Sequence, residues 1–529
     1  IVWDVGHQAY AWKILTGRAE SFATLRRLDG ISGFPNPAES AADPAVSGHA
    51  GVALSVAEGL AAARDRRGTN ESVVAVIGDS AMANGTSFEA LNNCLATTAK
   101  VIVILNDNDM SISRPAGSFS RFLARLTAGV RYNRAKKLTK DTLSRLHFDF
   151  LYRGLHAFKS RVKSMFFGNV FFEQFGLHYM GPVDGHDLKA LTAALTVAKE
   201  EKRSVLLHVV TRKGKGFAPA EADPTKWHGV GPFACPQPAA GSPAGVEARS
   251  WSAVFGKALC EFAERDERIV ALTAAMKDGT GLEDFAARFP SRFFDAGIAE
   301  GHITAFAAGL AAGGLRPVVA IYSTFFQRAV DQVMHDVAIA KLPVVFCVDR
   351  AGAVGADGVT HQGLYDIAML RCLPNLTICQ PKDAADLKTL LSEALKRNGP
   401  TVIRYPRGIA PREQEVRLPT ATATVSIWAT GDQLAKAYAV ADRIPGAEVS
   451  FARYLKPFDA ELLAKQRDAG MKIVSLENGC VAGGFGEAIG ADLKFGWPDE
   501  FIPHGSVAEL EKRYGFDVDS IVAAINRTI

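Results

Sequence analysis

Val73-Val74-Ala75-Val76-Ile77-Gly78-Asp79 is a run of small and branched apolar residues that stops on a carboxylate. Asn108 stands 29 positions beyond Asp79, where a second run, Val101-Ile102-Val103-Ile104-Leu105, stops on Asn106-Asp107-Asn108. Both runs are short and β-branched, which marks buried strands at 72–77 and 101–105. Residues 86–97 between them read as a helix, as do the Ala-rich residues 53–65 before them. A right-handed crossover from strand to helix to strand leaves the two strands parallel, with their carboxyl ends on one edge of the sheet. Ligands of open α/β sheets bind at that edge. The stretch therefore predicts an α/β fold with mainly parallel sheets.

The same alternation recurs further along the chain. A second block runs from 250 to about 405, with strands at 269–272, 318–321 and 344–348. A third begins near 424, with strands at 425–429, 448–451 and 472–476. Residues 233–249, FACPQPAAGSPAGVEAR, carry no apolar period and read as a linker. Three consecutive domains are expected, at 1–232, 250–415 and 416–529. The 529 residues, 48% of them apolar, suffice for several cores. No apolar run approaches the roughly 18 residues of a membrane helix. The seven cysteines form no C-x-x-C pair and sit mostly among apolar neighbours, a usage that suits a reducing cytoplasm. The net charge of +4 hides a local excess, because residues 121–168 hold twelve basic side chains against two acidic ones. Such a stretch is either an anion-attracting surface or a solvated helical insertion. The second reading is preferred, so no nucleic-acid or membrane partner is expected.

Several residues carry chemistry. Asp79 and Asn108 offer hard oxygen ligands at one sheet edge, which suit magnesium shared with a phosphate group. Gly78 allows close backbone approach, and amides at the helix start after it can meet phosphate oxygens. Asp and Asn are also ordinary turn residues, so that reading stays open. Residues 292–299 read as a buried strand ending in Glu300-Gly301-His302 before an Ala-rich helix. There the carboxylate either caps the helix or serves chemistry. Arg350 follows a strand and Arg407 sits in Tyr405-Pro406-Arg407-Gly408, and two guanidiniums at strand ends can clamp a phosphate. Asp357 and His361 lie in the Gly-rich loop 352–363, placed to hydrogen-bond a sugar or move protons.

The Gly78-Asp79 to Asn108 spacing resembles the diphosphate-binding motif of thiamine diphosphate enzymes. Trp3-Asp4-Val5-Gly6-His7-Gln8-Ala9-Tyr10, Leu105-Asn106-Asp107-Asn108-Asp109-Met110-Ser111-Ile112-Ser113 and Gly181-Pro182-Val183-Asp184-Gly185-His186-Asp187 resemble the 1-deoxy-D-xylulose-5-phosphate synthases. So do Ala320-Ile321-Tyr322-Ser323-Thr324-Phe325 and the segment from Asp349-Arg350-Ala351-Gly352 to Thr360-His361-Gln362-Gly363. The resemblance spans essentially the whole chain. It implies a transketolase-like, homodimeric, cytoplasmic enzyme that decarboxylates pyruvate and joins the two-carbon unit to D-glyceraldehyde 3-phosphate. Thiamine diphosphate and Mg2+ are the implied cofactors, with Asp79, Asn108 and Met110 at the metal. His7, Gly48, His49, Ala50, Ser80, Ala81, Phe217, Tyr322 and Phe325 would join Asp79, Asn108 and Glu300 around the cofactor. Glu300 would hydrogen-bond the aminopyrimidine ring, with His7, His228 and His361 as further catalytic groups. Arg328, Arg350, Asp357, His361 and Arg407 would bind substrate. The rival readings are a transketolase acting on ketose phosphates and a silent relative that keeps the fold for assembly.

Four positions depart from the family pattern. Ser80 stands where Gly is typical and would be strained at positive φ. Ala50 lacks a hydroxyl, Gly301 replaces Gln, and Phe217 replaces Tyr. The resemblance also implies a segment ahead of Ile1 with a catalytic histidine, so the sequence is expected to be a fragment of the active enzyme.

Overall fold

The computed structural model describes residues 1–4, 9–108, 118–119, 121–124, 169–224, 226–228, 249–417 and 422–528. His7, Met110, most of the basic stretch 121–168 and the 233–248 part of the expected linker lie outside the described residues.

The two runs that open the argument form β2 (Val74–Gly78) and β3 (Ile102–Asp107), with β1 (Val2–Trp3) before them. β4 (His178–Asp184) and β5 (Val205–Val210) complete a five-stranded, all-parallel sheet in the order β1-β2-β3-β5-β4. Helices α1 (Ala53–Arg67) and α2 (Gly85–Thr97) lie where the sequence puts them. Leu54, Ala57, Ala61 and Leu91 pack with Ala75, Ile77, Val103 and Leu105 in one core cluster. Each fully buried aliphatic side chain there contributes about 1.5–3 kcal/mol.

The second sheet has seven strands. These are β6 (Ile269–Thr273), β7 (Phe293–Asp295), β8 (Arg316–Tyr322), β9 (Val345–Asp349), β10 (Thr377–Cys379), β11 (Thr401–Tyr405) and β14 (Tyr454–Lys456). Their order is β14-β10-β11-β9-β8-β6-β7, parallel throughout except where β14 meets β10. The third sheet, in the order β13-β12-β15-β16, is parallel and contains β12 (Val425–Thr430), β13 (Ala447–Ala452), β15 (Lys472–Cys480) and β16 (Leu493–Trp497). Two expectations change. The strand expected over 292–299 ends at Asp295, because Gly297 takes φ +70 and leaves the extended path. β14, from the third block, adds an antiparallel edge to the second sheet.

The contacts divide the chain into two units, residues 1–18 with 34–241 and residues 19–33 with 242–529. The short span 19–33 thus belongs with the second and third sheets. Leu28 packs beside the cluster of Ile427, Val474 and Trp497, His504 Nε2 meets the Gly30 carbonyl at 2.9 Å, and Arg513 pairs with Asp29 at 2.6 Å. No helix among the described residues is long and apolar enough to cross a membrane.

Candidate functional site

In the first unit, Gly78 pairs with Asn106, so β2 and β3 end side by side. Asp79 opens the short helical turn Asp79–Met82 directly after β2, and its side chain is buried. The three polar residues that end the second run have different fates. Asn106 Oδ1 accepts from the Thr211 hydroxyl at 2.7 Å. Asp107 meets His208 Nε2 at 3.0 Å, and His208 Nδ1 meets the Tyr179 hydroxyl at 2.8 Å, a buried polar chain that fixes the strand end. Asn108 is the first residue past the strand and is half-buried. Ser80 lies in helical backbone and is not among the residues of positive φ, so the strain feared there does not arise. Its buried Oγ has no hydrogen-bond partner among the described residues. The Ala81 side chain packs into the core, and its carbonyl accepts from Ser87 Oγ at 2.9 Å.

The Gly48-His49-Ala50 loop is held by a residue whose role the sequence reading missed. Asp4 accepts from the Gly51 amide at 2.7 Å and from the Ala53 amide at 3.2 Å. It thereby serves the loop and the exposed amides at the start of α1 together. Ser47 Oγ adds a 2.6 Å bond to the Trp3 carbonyl. Gly51 has φ +91, and a Cβ there would fall 2.6 Å from Asn84, so the loop requires glycine twice over.

Lys213 is a second missed residue. It follows β5 in Arg212-Lys213-Gly214-Lys215-Gly216, and its ammonium contacts His228 Nδ1. Burial lowers its pKa while the carboxylate of Asp79 opposes the fall, which places a cation beside the Asp79 end of the sheet. A basic, Gly-rich segment directly after a buried strand was the available signal. Phe217 follows it, with its ring edge-on to Trp227 at 5.0 Å. Asp79, Asn108 and Lys213 thus bring oxygen donors and a cation to one sheet edge, a set that fits a divalent cation with a diphosphate.

In the second unit, Glu300 is the first residue of α4 (Glu300–Ala312), numbered after α3 (Trp251–Ala263). Its side chain is buried, and Oε2 has no hydrogen-bond partner among the described residues. Loss of water pushes its pKa up, opposed by its own backbone amide and the positive charge of Arg328. A native buried carboxylate oxygen without a partner is the feature a bound heterocycle would complete. A Cβ at Gly301 would meet only the far end of the Gln332 side chain, Oε1 at 2.9 Å, so nothing in the structure explains glycine there. His302 is exposed and stacks on Phe306 of its own helix at 6.1 Å.

The strand ends of the second sheet gather the remaining residues. Tyr322 and Phe325 stack at 5.7 Å with an interplanar angle of 14°, and His361 meets Phe325 edge-on at 5.6 Å. The His361 ring is oriented by the Thr360 hydroxyl, 2.8 Å from Nδ1. The Arg350 guanidinium lies 3.9 Å above the Tyr322 ring. Asp357 bridges two cations, with Oδ1 2.6 Å from Arg26 and Oδ2 3.2 Å from exposed Arg407. Arg26 was not foreseen. It lies more than three hundred positions upstream of Asp357 and reaches it because span 19–33 folds with this unit. Arg328 is half-buried in the turn Gln327–Ala329.

Comparison with known proteins finds relatives along the whole chain. Residues 1–211 match the family described as 1-deoxy-D-xylulose-5-phosphate synthase. Residues 247–412 match the transketolase pyrimidine binding domain, and residues 414–521 match the transketolase C-terminal domain. The 1-deoxy-D-xylulose-5-phosphate synthase 2 of Geobacter sulfurreducens is 44% identical over 558 residues, covering 99% of this chain and 88% of that protein. The 1-deoxy-D-xylulose-5-phosphate synthase of Ralstonia nicotianae is 45% identical over 560 residues, covering 99% and 87%. Among solved structures, a transketolase from Campylobacter jejuni aligns over 99% of this chain and 90% of its own, with a TM-score of 0.49 and 16% identity. Identity of 44–45% over 99% of this chain and 87–88% of each relative, with the family match over residues 1–211, leaves one conclusion: the chain belongs to the 1-deoxy-D-xylulose-5-phosphate synthase family.

Proposed function

We propose that the protein is a transketolase-type transferase that decarboxylates pyruvate and joins the two-carbon unit to D-glyceraldehyde 3-phosphate, releasing carbon dioxide. The product would feed isoprenoid, thiamine and pyridoxal precursors. The observation that carries this reading is the buried, unpartnered oxygen of Glu300 at the start of α4, in a chain related over its length to named synthases. Thiamine diphosphate, when bound, supplies the electron sink that decarboxylation needs. Asp79 and Asn108, with Met110, would hold Mg2+, and Lys213 would offset diphosphate charge. His7, His49 and the backbone of Gly48, Ala50, Ser80 and Ala81 would line the cofactor, with Phe217, Tyr322 and Phe325 as apolar walls.

Glu300 would hold a proton at Oε2 and share it with an aminopyrimidine nitrogen. Burial, which raises its pKa, favours its holding that proton. His361 would donate to or accept from the acceptor's hydroxyl or carbonyl oxygen, oriented by Thr360. His228 would move a proton beside Lys213. Arg328, Arg350 and Arg407 would take the acceptor phosphate, with Asp357 setting the Arg407 head group against Arg26. The division into domains at 1–232, 250–415 and 416–529 and a cytoplasmic setting belong to the same reading. So does a homodimer, for which exposed Phe306, Met334 and Ile339 on and near α4 offer apolar surface.

The test follows carbon dioxide release from carboxyl-labelled pyruvate, with thiamine diphosphate and magnesium present. Release should depend on D-glyceraldehyde 3-phosphate and yield a five-carbon ketose phosphate. Two-carbon transfer from a ketose phosphate without carbon dioxide would identify a transketolase instead.

A further inference from the structure

Asp349 ends β9 and is 1% exposed, between Tyr322 at the end of β8 and Tyr405 at the end of β11. A buried carboxylate at the rim of a sheet needs partners, and Asp349 has specific ones. The Ser252 hydroxyl donates to Oδ2 at 2.6 Å, and the positive charges of Arg350 and Arg407 act on the carboxylate. Arg350 itself has φ +57, a left-handed conformation that costs a non-glycine residue about 1–2 kcal/mol. That turn sends its side chain back over Tyr322. The Ala351 amide, which donates to the Tyr405 carbonyl at 3.0 Å, follows that turn, and the Asp349 side chain held by Ser252 precedes it.

Ser252 connects this turn to the other arginine. It is the second residue of α3, whose entry is tied to the segment carrying Arg407. The Trp251 amide donates to the Gly408 carbonyl at 3.1 Å, Ser250 pairs with Ile409, and the Ala410 amide donates to the Arg249 carbonyl at 2.9 Å. The carboxylate–hydroxyl bond thus adds a side-chain link to the β9–β11 pairing and the Ala351–Tyr405 backbone bond, between the turn at Arg350 and the segment carrying Arg407. Both guanidiniums also act electrostatically on the same carboxylate, which burial pushes up to about 6 and which Arg350, Ser252 and Arg407 hold from rising further.

We infer that Asp349 and Ser252 are a positioning pair that sets the spacing of Arg350 and Arg407 and so determines selectivity for a phosphate-bearing acceptor. Neither residue touches substrate. The pair acts through the two arginines, and the inference rests on the reading that those arginines take the acceptor phosphate.

The probe is glycerol 3-phosphate, a non-reacting polyol phosphate, titrated calorimetrically into the full chain with thiamine diphosphate and magnesium present. Ser252→Ala and Asp349→Asn should each weaken binding about tenfold, the scale of losing a hydrogen bond to a charged group. Ser252→Thr, which keeps the hydroxyl, should bind within about twofold of the unaltered protein. Arg350→Ala and Arg407→Ala serve as references for loss of the anchor. In turnover assays the effect of Ser252→Ala should fall on the acceptor's KM, with the KM for pyruvate and kcat moving less. If Ser252→Ala and Asp349→Asn bind like the unaltered protein while both arginine variants lose affinity, the inference is overturned and the anchor reading survives. If the arginine variants also bind normally, the anchor reading fails and takes the inference with it. Should Asp349→Asn not fold, Ser252→Ala alone decides, because removing one buried hydroxyl from the first turn of α3 removes no backbone hydrogen bond.

Discussion

Glu300 shows how one atom can carry a functional reading. Its carboxylate is buried and Oε2 has no partner among the described residues, so in the cofactor-free chain the ionised form is destabilised. The folded-state pKa lies above the ordinary carboxylate value, so this cost is absent below that value, grows as pH rises through it, and is complete above the raised one. Glu300→Gln should therefore melt higher than the unaltered chain at pH 8, and the difference in Tm should vanish toward pH 4. The same substitution should lower kcat by at least about a hundredfold, the scale of general acid–base catalysis. A variant that keeps turnover refutes the assigned role. The roles of Glu300 and Arg407 come from the family resemblance, but the places of Asp79 and Arg350 were legible in the sequence, because each directly follows a branched apolar run. Lys213 and Arg26 were not, since a basic residue in a loop looks solvated until its neighbours are known.

Among the elements, β2, β3, β9 and β12 fell where their branched apolar runs placed them, because a strand covered on both faces has no polar alternation to blur it. The three-residue β14 was invisible: it has no pattern of its own and exists through its partner, β10. The Gly48-His49-Ala50 loop is likewise specified from a distance, by Asp4. Asp4→Ala removes an acceptor from the Gly51 and Ala53 amides and should cost about 1–3 kcal/mol of stability. The Kd for thiamine diphosphate should rise with it, as titration of intrinsic tryptophan fluorescence would show. Unchanged affinity would mean that the loop holds its shape without that carboxylate.

Across the molecule, buried acids set how stability responds to pH. Burial raises Glu58 to about 7 and Glu477 to about 7, as it raises Asp349 to about 6. Each contributes stability that is fully present below the ordinary carboxylate range and lost as pH climbs through these values. The cofactor-free protein should accordingly melt several degrees higher at pH 5.5 than at pH 8, measured by calorimetry in matched ionic strength. Glu58→Gln should flatten that slope, since Glu58 Oε1 is buried with no hydrogen-bond partner among the described residues. A profile that rises toward pH 8 would show that these acids are not governing.

The allocation of residues 19–33 to the second unit has a consequence for how such a chain can be shuffled. The backbone passes between the two units three times, at 18–19, 33–34 and 241–242. A gene cut near the last crossing would yield an upstream product that still carries Arg26, Leu28 and Asp29, each of which completes the downstream one. The halves are therefore not interchangeable cassettes. Recombination at that joint would succeed only between parents whose upstream strap and downstream socket had diverged together.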